Sequence, residues 1–330
     1  MSRDFGKYLA SLALFGSNGI IASRIALDSG QIVLLRTLMG AVVLCAALAL
    51  VLLGRRGGGC RMGEADGTAA RGTDVAGLAA FEHPRHALSL AVSGVALGVG
   101  WIFLFAAYRL VGVGVASLAY YCGPVIVMAL SPVLFGERLT TPKLVGFAAV
   151  AVGAFLVVAQ GTGAPDPRGL ALGGLSAVMY AVMVVSSKRA PEVGGLEAAT
   201  IQMVASFATV AIVALASGEL PTPAQLAGCN LPAALALGLV NTGLGCYLYF
   251  SSLGRLPVQR VAVCGYLEPL SAVILSALVL GEALTPGRVL GTALIIGGAT
   301  ASELAGKASL PDLAGLVRGA VARGRAALAQ

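Results

Sequence analysis

The sequence predicts an all-α integral membrane protein of ten transmembrane helices in two inverted five-helix repeats. Three observations carry that reading: charge is scarce, apolar runs recur along the chain, and the two halves match each other. Of the 330 residues, 58% are hydrophobic and only 11% are charged. A soluble domain carries about 25% charged residues, because its surface must meet water. Here most of the surface has to meet lipid. The 45 glycines point the same way, since small residues let membrane helices approach closely.

Runs of roughly 18 or more apolar residues are long enough to cross a bilayer. They lie at 7–27, 33–54, 87–107, 114–135 and 144–160, then at 169–187, 198–217, 231–252, 261–280 and 288–305. The first run has a polar centre (Ser17, Asn18) and reads as an anchor rather than a cleaved signal. Residues 55–86, rich in Gly, Ala and Arg, read as a mobile hydrophilic loop. After residue 306, Leu313, Leu316, Val317, Ala320 and Val321 fall against Arg318, Arg323 and Arg325 at helical spacing. That pattern predicts an amphipathic tail for an anionic membrane surface. The expected divisions are therefore 1–160, 161–306 and 307–330.

Orientation follows from Lys and Arg. With the N-terminus inside, only Arg24, Arg36, Arg109, Arg168 and Arg288 fall in outside segments or adjoining helix ends; every other basic residue falls inside. That asymmetry puts both termini in the cytoplasm of a plasma (inner) membrane protein. The same scatter of single basic residues argues against nucleic acid as a partner, despite the net charge of +7. The six cysteines show no metal spacing, and His83 with His86 supplies only two ligands. No Walker-type loop is present, so no nucleotide or other cofactor is expected. A membrane enzyme would need several convergent polar or acidic residues at one membrane face, and the sequence offers no such cluster.

The halves match at an offset of 145 residues. Gly136-Glu137-Arg138-Leu139-Thr140 recurs as Gly281-Glu282-Ala283-Leu284-Thr285. At the same offset Tyr121 falls on Tyr266, Pro124 on Pro269, Gly146 on Gly291 and Gly153 on Gly298. Five helices, an odd number, separate the copies, so their orientations in the membrane are opposite. Inverted repeats are an arrangement that many secondary transporters use to open alternately to either side.

These residues resemble the drug/metabolite transporter superfamily, in particular its EamA-type ten-helix members. The resemblance rests on Gly16-Ser17-Asn18 in the first helix, Gly136-Glu137 with Leu139-Thr140 after the fourth, and Glu268-Pro269 through Gly281-Glu282 to Gly291. It covers about residues 5–305. The family's first-helix motif usually carries Trp where this chain has Phe15, and the loop after the second helix is longer than usual. The resemblance implies export of small metabolites such as amino acids or related amphiphilic compounds, and leaves the substrate unspecified.

Ionisable groups inside spans are expensive, which makes each one a candidate for function. Glu268 leads: it lies well inside the ninth span, beside the helix-kinking Pro269, and its counterpart in the first half is Gly123. Desolvation opposes ionisation there, which suits a group that takes up and releases a proton. The alternative is a protonated Glu that holds the kink. Arg36 is a candidate for a substrate carboxylate. Arg24 reads as a snorkelling residue paired with Asp28 at i,i+4. Asn18 and Asn241 are amides in apolar stretches, suited to a ligand or to interhelical bonds. Tyr121, Tyr266 and Trp101 are amphipathic groups available to a cavity. Glu137 and Glu282 read as structural, each near the positive end of the following helix, with Thr140 and Thr285 as N-caps and Pro286 in the first turn. The partners expected are a small-molecule substrate and the lipid bilayer; coupling to proton or sodium, and a homodimer, are left open.

Overall fold

The computed structural model describes residues 3–57, 78–137, 139–158, 166–280 and 285–305. Every regular element among them is helical. In order these are α1 (Arg3–Gly16), α2 (Asn18–Ala22), α3 (Ser29–Gly57), α4 (Ala79–Glu82), α5 (Pro84–Tyr120), α6 (Cys122–Phe135) and α7 (Thr141–Val158). There follow α8 (Pro167–Lys188), α9 (Gly195–Ser217), α10 (Pro223–Gly228), α11 (Leu231–Leu235), a π-helical stretch (Ala236–Leu244) and α12 (Gly245–Leu253). The last three are α13 (Val258–Gly265), α14 (Leu267–Leu280) and α15 (Pro286–Ala305).

Among the described residues, seven helical stretches are long and apolar enough to cross a membrane, and Thr141–Leu156 and Val289–Ala301 are shorter apolar helices. The first span completes ten. It is broken: α1 ends at Gly16 and α2 begins at Asn18. The expected spans mostly start about three residues late, because a helix begins at its polar first turn whereas an apolar run does not. The third span, Pro84–Val111, and the start of the fourth, Val115–Phe135, lie in the one helix α5, and the fourth continues as α6 beyond Tyr121.

The chain folds as two compact units, and each draws on both halves of the sequence. One comprises Met1–Ser11, Ile21–Ile102 and Val182–Arg255; the other Leu12–Ile20, Phe103–Ala181 and Leu256–Gln330. In the first unit α3 packs along α9 and the π-helical stretch. Ser93, fully buried, has its hydroxyl 2.6 Å from Gln202 Oε1 and 2.8 Å from the Met183 carbonyl, two acceptors that share its one proton. Lipid offers no hydrogen bonds, so such polar atoms must be satisfied within the protein.

In the second unit the dominant pair is α7 with α15. A Cβ on Gly153 would lie 2.6 Å from the Gly291 carbonyl oxygen, and one on Gly298 would lie 2.5 Å from that of Gly146. The contact is reciprocal between repeat-equivalent glycines. It brings two backbones together as small-residue crossings do in membranes.

Two local expectations are corrected. Residues 23–28 are not helical, so Arg24 and Asp28 do not share a helix face and form no ion pair among the described residues; the Asp28 N–H donates instead to Gln31 Oε1 at 3.2 Å. Thr140 precedes α7, but its buried Oγ1 has no hydrogen-bond partner among the described residues and makes no cap on that helix there. Gly281, Glu282, most of the 55–86 loop and the 307–330 tail lie outside the described residues.

Candidate functional site

Helix breaks organise the second unit. A proline has no N–H to give to the carbonyl four residues back, and its ring crowds that carbonyl. Pro124 therefore leaves the Tyr120 carbonyl without that donor, and Pro269 does the same at Gly265. The helices yield at the next residue in each case. Tyr121, between α5 and α6, has φ −69° and ψ −1°; Tyr266, between α13 and α14, has φ −73° and ψ −4°. The same spacing, a tyrosine three residues before a proline, accompanies the same break twice.

The two breaks meet. Tyr266 Oη donates to the Tyr121 backbone carbonyl at 2.7 Å, and the two rings lie 6.1 Å apart. Phe147 stands edge-on to Tyr266 at 5.9 Å, and Tyr180 edge-on to Tyr120 at 5.7 Å. Glu268 sits in the first turn of α14 and is half-buried. A carboxylate is favoured at that helix end, and it lies within electrostatic reach of Tyr120 and Tyr121.

The break in the first span approaches the same helix. Gly16, Ser17 and Gly19 are poor helix formers, and Ser17 Oγ turns back to the Leu14 carbonyl at 2.7 Å. Gly16 packs directly against Ser271 of α14, whose hydroxyl reaches the Leu12 carbonyl at 3.2 Å and the Glu268 carbonyl at 2.8 Å. Asn18, half-buried, opens α2.

The first unit holds a separate polar cluster around Arg36 of α3, which is only 6% exposed. Its Nε donates to Thr242 Oγ1 at 3.0 Å, and its guanidinium carbon lies 4.6 Å from the centroid of the Trp101 ring. The flat, weakly hydrated guanidinium suits an aromatic face. Thr242 Oγ1 in turn donates to the Leu237 carbonyl, five residues back, at 2.8 Å. That spacing belongs to the wide π turn, a feature frequent at functional sites. Asn241, 2% exposed, lies in the same stretch.

Inverted repeats, discontinuous spans and intramembrane ionisable groups are the marks of a carrier. The EamA-like transporter family matches this chain over residues 7–159 and again over 167–302. The chain belongs to this family. Among its EamA-like relatives is the threonine/homoserine exporter RhtA of Escherichia coli, 28% identical over 66% of this chain and 71% of that one. The aromatic amino acid exporter YddG of Ancylobacter novellus is 28% identical over 61% of this chain and 71% of its own length. Protein PecM of Dickeya dadantii is also 28% identical, over 61% and 68%. A crystal structure superposes with a TM-score of 0.72 at 21% identity, covering 93% of this chain and 99% of the other. Family and fold together make this a multi-pass membrane transporter of ten helices.

Within the EamA-like chain, Tyr121, Tyr266, Glu268 and Asn18 fall in the second unit, with Pro124 and Pro269 buried beside the breaks. Arg36, Trp101 and Asn241 fall in the first. Thr242 and Tyr180 have structural roles that the sequence reading did not assign them. Thr242 follows Asn241 directly, but nothing in the sequence announces a π turn. Glu137 is the largest departure: its carboxylate sits at the start of α13, not at α7. Gly136 makes that possible. With φ +66° it ends α6 in the left-handed conformation that only glycine adopts cheaply, its N–H donating to the Pro132 carbonyl.

Proposed function

We propose that this EamA-like protein exports small metabolites, amino acids or related amphiphilic compounds, by alternating access coupled to protons through Glu268. The observation that carries this reading is the meeting of the two repeat-equivalent breaks, Tyr121 and Tyr266, beside a carboxylate that only the second repeat possesses. Unwound backbone at mid-span offers polar groups to a substrate, and an intramembrane carboxylate can exchange a proton as the surroundings change. Two relatives bear the names of amino acid exporters, which supports the substrate class. Sodium is the alternative coupling ion. In this reading residues 1–160 and 161–306 are the two repeats, and 307–330 is a cytoplasmic tail. Both termini face the cytoplasm of the cell membrane, and the chain acts as a carrier, not an enzyme or a channel. Arg36, held against Trp101, takes the substrate's carboxylate.

Counterflow in proteoliposomes tests it. Vesicles preloaded with unlabelled threonine, homoserine or phenylalanine should concentrate the same labelled compound transiently and saturably. A lack of counterflow across the common amino acids would remove the proposed substrate class.

A further inference from the structure

Helix α13 begins without a local cap. Its N-cap residue is Pro257, whose side chain has no oxygen and makes no capping bond. The first N–H groups of a helix need acceptors, and here they come from 121 residues away. Glu137 Oε1 accepts from the Val258 N–H at 2.6 Å, and Oε2 from the Gln259 N–H at 3.0 Å. Both bonds are charge-assisted and lie at the positive end of the helix.

Gln259 extends the tie. It is 3% exposed; its Nε2 donates to Ser131 Oγ at 3.2 Å, and its Oε1 accepts from Lys143 Nζ at 2.6 Å. One end of α13 is thus bound to α6, to the turn after α6, and to α7. The other end is tied by the Tyr266 hydroxyl to the Tyr121 carbonyl. Between these ties is a rod of eight residues, already uncoupled from α14 by the break at Tyr266.

We propose that Glu137 is a latch on the half-helix α13, and that its release lets this end of the helix swing away from α6 during transport. A carrier that opens at one face must part helices there. Helix α13 has a break behind it to pivot on, and the Glu137 carboxylate holds its first two N–H groups, beside the Gln259 bonds to Ser131 and Lys143. The inference rests on the alternating-access reading, but the test below needs no substrate, so the two can fail separately.

Two buried positions report on it. Val261, 0% exposed, lies one turn inside the held end of α13, and Cys246, 2% exposed, lies in α12. Full-length Val261→Cys protein in proteoliposomes is treated with N-ethylmaleimide, and modification at position 261 and at Cys246 is followed by peptide mass spectrometry. In Glu137→Gln, made in that background, one accepting oxygen becomes an NH2 group facing an N–H donor. The thiol at position 261 should then react at least about tenfold faster, with Cys246 within about twofold of the Val261→Cys parent. A rate at position 261 within about twofold of the parent overturns the latch. If Cys246 accelerates equally, the substitution has unfolded the protein and Val258→Pro decides. That change removes the N–H held at 2.6 Å at a position where helices accept proline, and the extended Pro257 (ψ 141°) already suits a following proline. The same tenfold and twofold outcomes at position 261 then support or overturn the proposal.

Discussion

Tyr266 and Tyr121 occupy the same position in the two repeats, 145 residues apart, and the hydroxyl of one donates to the backbone carbonyl of the other at 2.7 Å. Each tyrosine also marks the break of its own helix. The bond therefore joins two repeat-equivalent places where helical continuity is lost. Its direction is asymmetric, like the carboxylate two residues beyond Tyr266.

Tyr266→Phe removes that bond and keeps the ring against Phe147 and Tyr121. A carbonyl at a helix break in apolar surroundings would lose its donor, which costs about 1–2 kcal/mol. A melting temperature in detergent lower by several degrees is expected; an unchanged one would show that the bond contributes nothing.

Gly153→Ala and Gly298→Ala each drive a methyl group into the facing backbone, 2.6 Å from the Gly291 oxygen and 2.5 Å from the Gly146 oxygen. Overpacking of this kind costs about 1–3 kcal/mol. Because both substitutions spread the same α7–α15 crossing, the double variant should lose less stability than the two singles added together. Additive losses in thermal unfolding would mean that the two contacts are independent.

Arg36→Lys keeps the charge and discards the flat group that lies on Trp101 and bonds Thr242 through Nε. Lysine cannot lie flat on the ring and donate from Nε at the same time. Counterflow of a carboxylate-bearing substrate should show KM raised about tenfold with little change at saturation. The corresponding amine without the carboxylate should compete equally well against both proteins.

Glu268→Gln leaves a neutral group of the same shape beside the break. Accumulation driven by an imposed pH gradient should disappear, while counterflow, which needs no net proton movement, should persist. Retention of pH-driven accumulation would remove Glu268 from coupling.

The sequence by itself determined the class and the count. Charge scarcity and apolar runs fix ten spans because lipid admits only self-satisfied helices. The 145-residue match fixes the inverted repeat, because an odd number of crossings reverses direction. Its glycines and prolines also marked, without explaining, the positions where the backbones cross and the helices break. The tertiary structure decided the partners. That Gly153 faces Gly291, that Tyr266 reaches Tyr121, and that Arg36 lies on Trp101 and bonds Thr242 all depend on which helix packs beside which, and hydropathy carries no such information. Glu137 shows the limit most clearly. Its neighbours in sequence suggested the next helix, but the carboxylate caps α13, because an uncapped helix start presents N–H groups to whatever side chain the fold brings within reach.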